Sequence, residues 1–112
     1  MVKYNRVFVP NPSLKFDTSP LDDLAESIVY VCDMPMFDNL TEDDNIGMFE
    51  KKISRKMEDF NPVKDVVGHY GDGLIFAMMV MFLSDQFDSF DIARFSHKKN
   101  GYVVRNLSYD KF

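Results

Sequence analysis

Ten residues in a row, Leu74 to Leu83, are apolar. Such a stretch has to be buried, and the segments on either side of it have to supply the cover. A membrane-spanning helix needs about 20 apolar residues, so this run belongs to a core. Periodicity cannot decide its type, because every face is apolar. Its length, Ala77 and the three methionines (Met78, Met79 and Met81) favour a buried helix over residues 73–84.

The flanks narrow the architecture. Val63 to Tyr70 reads as a strand centred on Val66 and Val67, and Gly71-Asp72-Gly73 as a turn in which Asp72 caps the helix. Asp85 to Ser89 is polar and turn-like, and Phe90 to Ser96 reads as a further strand. Strand, helix and strand make a crossover unit, which places its two strands parallel and its connection right-handed. Asn100-Gly101 between two strand-like runs then signals a hairpin, with Tyr102 to Leu107 as its return strand. A two-residue loop pairs Phe95 with Asn106, and a four-residue loop pairs it with Val104. The second is the better apolar match.

Upstream, Tyr4 to Val9 alternates as a strand and is ended by Pro10 and Pro12. Ser19-Pro20-Leu21-Asp22 resembles a helix start, with Ser19 as cap and Pro20 in the first turn. Leu21, Leu24, Ala25, Ile28 and Cys32 recur at helical spacing and predict a helix over 20–32. Val29 and Val31 make a late strand the less favoured option. After a connector holding Met34, Pro35, Met36 and Phe37, Thr41 caps a second helix. Its apolar stripe is Ile46, Phe49, Ile53, Met57 and Phe60, and Asn61-Pro62 stops it. The order is β-α-α-β-α-β-β. It predicts an α/β (α+β) domain with a small mixed sheet of about four strands, three helices and a C-terminal β-hairpin. No repeat, linker or low-complexity tract divides residues 1–112, so one domain is expected.

Charge is distributed unevenly. Ten acidic residues lie between Asp17 and Glu50, with no lysine or arginine among them. From Ile92 onward, Arg94, Lys98, Lys99, Arg105 and Lys111 face Asp110 alone. The acidic half should repel nucleic acid and attract a basic protein surface. The basic hairpin, with Tyr102 and Tyr109, is the only counter-signal, and the net charge of −5 weighs against nucleic acid as a partner. A single cysteine allows no internal disulfide and suits a reducing compartment. With no secretory-type apolar stretch near the start, a soluble cytoplasmic protein is expected, without a membrane partner.

No catalytic, metal-binding or cofactor signature is present. His69 and His97 are the only histidines, in no metal-binding spacing, and His97 is expected at a solvated hairpin tip. Cys32 is expected on the apolar face of the first helix, buried and unreactive.

Two places are left where function can sit. His69, Tyr70, Gly71, Asp72 and Gly73 lie where a strand ends and a helix begins, which is where open α/β sheets gather small ligands. His69 and Asp72 would there form an acid/base pair, but the glycines match neither the dinucleotide-binding nor the P-loop spacing. The plainer reading is a tight turn with a helix cap. The other place is the acidic stretch: Asp22, Asp23, Glu26, Asp38, Glu42, Asp43 and Asp44, with Met36 and Phe37 as apolar anchors. That surface fits a partner with a basic groove, although helix dipoles alone account for many of its acids.

The short, Asp-, Met- and Phe-rich chain without a catalytic motif is similar to small accessory proteins of phages and other mobile elements. The acidic face makes the first expectation a non-enzymatic protein-binding module that inhibits or modulates a partner. The alternatives are a small-ligand domain (nucleotide- or phosphate-binding, or a weak enzyme) at the 69–72 turn, and a homo-oligomer assembled through the final edge strand.

Overall fold

The computed structural model describes residues 3–12, 18–32, 46–71 and 73–108. Five strands form one sheet: β1 (Tyr4–Val9), β2 (Ala25–Tyr30), β3 (Asp65–His69), β4 (Ser89–Ser96) and β5 (Gly101–Ser108). Their spatial order is β2-β1-β3-β4-β5. Strands β1 to β4 are mutually parallel, and β5 returns antiparallel beside β4. Three helices connect them: α1 (Ser19–Asp22), α2 (Ile46–Lys56) and α3 (Gly73–Gln86). The α/β class, the three helices and the closing hairpin are therefore as the sequence leads one to expect.

The segment 20–32 differs. It is not a long helix but one turn of helix followed by β2, so the sheet has five strands rather than four. The helix begins at Ser19 with Thr18 in the cap position, and Thr18 makes no side-chain capping bond. Ile28 to Cys32 is continuously apolar because this end of the segment packs on apolar neighbours on both faces. Ile28 and Tyr30 pack on the α1 side, while Val29, Val31 and Cys32 pack on the other. A parallel strand buried in this way carries no alternation to mark it. Cys32 is buried, but it lies just past β2 and not on a helix face.

Two apolar layers sandwich the sheet. On one side α2 and α3 pack over Phe8, Val67 and Phe90, through Phe49 and Ile53 of α2, Met57 just past it, and Ile75, Met79 and Leu83 of α3. Phe60, just past α2, meets Phe8 edge-on at 5.3 Å. On the other side Val7, Val9, Val66, Tyr70 and Ala93 pack under Leu21 and Leu24. Helix α1 has only four residues, a length of about 6 Å. Five strands make a sheet about 19 Å wide. Among the described residues, this face is therefore only partly covered by helix.

The hairpin turns through four residues, His97 to Asn100, and pairs Phe95 with Tyr102, not with Val104. Asn100 occupies the left-handed region (φ 52°), which frees Gly101 to open β5 opposite Ser96. Asn tolerates that conformation well. Within the described residues, no helix is long and apolar enough to cross a membrane.

Candidate functional site

Chain direction decides where a site can form. From β1 the chain passes to β2 on one flank, while β3 lies on the other flank of β1. The two connections diverge at the carboxyl ends of β1 and β3, the switch point beside which open α/β sheets bind ligands. Here Asn11, buried just past β1, packs against Gly71, just past β3. Gly71 takes φ +91°, open to glycine at little cost.

A cavity of about 660 Å³ lies beside this point. Ser19, Pro20 and Asp23 line it from α1 and its end. His69, Tyr70 and Gly71 line it from the carboxyl end of β3. Phe95, His97, Asn100 and Tyr102 line it from the hairpin. The Phe95 ring stands edge-on to both Tyr102 (5.7 Å) and His97 (5.0 Å), so the hairpin wall is an aromatic cluster. His69 stacks on Phe76 of α3 at 4.7 Å. The Tyr102 hydroxyl donates a long hydrogen bond, 3.5 Å, to the His69 carbonyl and ties β5 to the end of β3. Burial pushes the Tyr102 phenol up to about 12, with a smaller contribution from Tyr70, so it is a neutral donor at ordinary pH.

Of the turn residues singled out in the sequence, His69, Tyr70 and Gly71 reach this cavity. Gly73 instead opens α3 and is exposed. Asp72 lies outside the described residues, so its pairing with His69 does too. His97 is exposed at the hairpin tip, as expected, but it also lines the cavity. Pro20, Phe95, Asn100 and Tyr102 carry no local signal of a site. They arrive only through strand pairing and the course of the chain after β1. Of the acidic set, Asp22 at the end of α1, Asp23 just past it and Glu26 on β2 are exposed. Met36, Phe37, Asp38, Glu42, Asp43 and Asp44 lie outside the described residues. Among the described residues, no group of three or more His, Cys, Asp or Glu side chains is placed to hold a metal ion.

The opposite, amino-terminal end of the sheet is built for stability. Asp65 is buried, and its carboxylate accepts from Arg6 Nη2 at 2.7 Å, Arg6 Nε at 3.3 Å and the Asn61 backbone N–H at 2.8 Å. Arg6 also reaches Asp59 and lies over the Phe8 ring. Its pKa is raised, chiefly by the Asp65 hydrogen bond. Nearby, Asp91 accepts from the Tyr4 hydroxyl at 2.7 Å and from Asn106 at 3.0 Å.

Compared with known proteins, the chain matches no family model, no curated protein and no solved structure.

Proposed function

We propose that this chain is a small-ligand-binding domain and that the cavity at the carboxyl edge is its site. One observation carries the reading. Residues as distant in the chain as Ser19 and Tyr102 close around a single aromatic-walled space. Its volume falls within the usual range of ligand sites, about 300–1,000 Å³. Its position beside the β1/β3 divergence is where this class of sheet binds ligands. A reducing, cytoplasmic setting suits the lone buried Cys32.

A thermal-shift screen with nucleotides, phosphorylated metabolites and planar aromatic compounds tests the reading. A ligand at about 100 times its dissociation constant adds roughly 2.7 kcal/mol of stability. A panel that produces no shift overturns it.

A second reading, a protein-binding module that inhibits or modulates a basic partner, draws support from Asp22, Asp23 and Glu26. All three are exposed, and none joins an ion pair within the described residues. Reversing Asp22 and Glu26 to Lys should then abolish capture of that partner and flatten the salt dependence of binding. Capture unchanged by the reversal overturns the reading.

A further inference from the structure

The charge layout around the cavity narrows the ligand class, and this step rests on the ligand-binding reading above. Asp23, an exposed acidic residue, lines the wall contributed by α1 and its end. At the hairpin wall, His97 and Asn100 line the space, and Lys98 and Lys99 lie exposed between them. Neither Asp23 nor the lysine pair is engaged in an ion pair within the described residues. The aromatic residues Tyr70, Phe95 and Tyr102 also line the space. The surroundings are thus bipolar, with an acceptor on one wall, cations beside another, and aromatic rings in the lining.

Each part selects a chemical feature. Aromatic side chains stack on planar unsaturated rings. An ionised carboxylate only accepts hydrogen bonds, so it favours an N–H donor on the ligand and disfavours a carbonyl. Lysine ammonium groups attract phosphate as point charges. An inorganic phosphate uses only the lysines and faces Asp23 unfavourably. An organic cation gains from Asp23 but is repelled by Lys98 and Lys99. We infer that the cavity takes a nucleotide whose base carries an exocyclic amino group: adenine, cytosine or guanine. The amino group lies toward Asp23 and the phosphate toward Lys98 and Lys99.

The test is an NMR titration of the full chain with AMP, CMP, GMP, UMP, inosine monophosphate, adenosine and inorganic phosphate. AMP, CMP and GMP should bind about tenfold more tightly than UMP and inosine monophosphate, which lack the exocyclic amino donor that faces the carboxylate. The shifted amides should cluster at 69–71 and 95–102. Asp23→Asn should remove that preference, since an amide both donates and accepts. Replacing Lys98 and Lys99 by Ala should weaken AMP toward the level of adenosine and reduce its salt dependence. All of these side chains are exposed, so folding is preserved. Equal binding of AMP and inosine monophosphate overturns the assignment of the base and leaves the cavity reading intact. Binding of a non-nucleotide planar ligand at the same amides, with no nucleotide binding, does the same. Silence from every ligand, or shifts confined to other parts of the chain, overturns both.

Discussion

Gly71 and Asn11 are packed so closely that no side chain fits between them. A Cβ at position 71 would stand 2.5 Å from Asn11 Oδ1 and 2.8 Å from the Asn11 carbonyl oxygen. The contact joins the ends of β1 and β3 at the rim of the cavity. Gly71→Ala therefore meets both the clash and a left-handed backbone. It should cost about 2 kcal/mol or more in urea denaturation, and ligand affinity should fall with it. Gly73→Ala is the control. A Cβ there meets nothing within 4 Å, and the position opens a helix. That change should be neutral, or stabilise by up to about 1 kcal/mol.

At the other end of the sheet, Arg6 and Asp65 form a two-point ion pair with the carboxylate almost wholly enclosed (2% exposed, against 29% for the arginine). Arg6→Ala strands a buried negative charge and should cost about 3 kcal/mol. Arg6→Lys keeps the charge but loses the planar fork, so it should recover only part of that loss. The cavity is remote from this pair. Ligand affinity measured at a temperature where both variants remain folded should stay at the level of the parent protein, and a large loss would show that the two ends of the sheet are coupled.

Helix α3 is apolar all round, yet its faces are not equivalent. Met79 and Leu83 are fully buried, whereas Met81 is 69% exposed and Leu74 is 53% exposed. Leu83→Ala should cost about 2–5 kcal/mol, by lost transfer energy and the cavity left behind. Met81→Lys should stay within about 0.5 kcal/mol of the parent protein and improve solubility. Chemical denaturation of the two variants side by side checks the assignment of faces.

Alkaline stability follows from two phenols. Tyr102 is held up at about 12, from 10.0, mainly by burial. Tyr4 is raised further, by burial and then by its hydrogen bond to Asp91. In both cases the folded chain keeps the proton to higher pH than the unfolded chain does. The stabilisation is therefore fully present below about pH 10 and is lost as the pH rises through 10 to 12, because the unfolded chain ionises first. Unfolding free energies across that range should fall with a slope that Tyr102→Phe and Tyr4→Phe each reduce. A slope unaltered by both substitutions would remove the assigned cause.

How far such features can be read from sequence depends on the range of the interaction that makes them. Strand β1, the stripe Phe49-Ile53-Met57 along and just past α2, and the course of α3 are written in local pattern and in turn residues, and they are legible. Strand β2 is not. Leu21, Leu24, Ala25 and Ile28 fit helical spacing, while the property that decides the matter is pairing with β1 along Tyr4–Val9. Apolar packing on both faces of its later half erased the alternation that would have marked a strand. The same limit applies to the cavity. Gly71 and its neighbours announce a turn by composition, so the wall made by His69, Tyr70 and Gly71 was visible. Phe95, Tyr102 and Asp23 meet it only through register, strand order and the shortness of α1, none of which is encoded in a window of a few residues.

Register at the hairpin tip rests on Asn100. It holds φ 52° at the last turn position, and this places Phe95 opposite Tyr102. A β-branched residue is strongly disfavoured there, so Asn100→Val should cost about 1–2 kcal/mol, while Asn100→Gly should be nearly neutral. The two variants should also separate in function. With Gly the turn is kept, so the aromatic wall stays in place and ligand affinity should change only by the loss of the amide itself. With Val the strain favours moving the left-handed position to Gly101, which shifts the pairing and carries Tyr102 away from Phe95. Cross-strand nuclear Overhauser contacts between Phe95 and Tyr102 report this directly. Their persistence in the Val variant would mean that β4 and β5 are held in register by the strands and not by the turn.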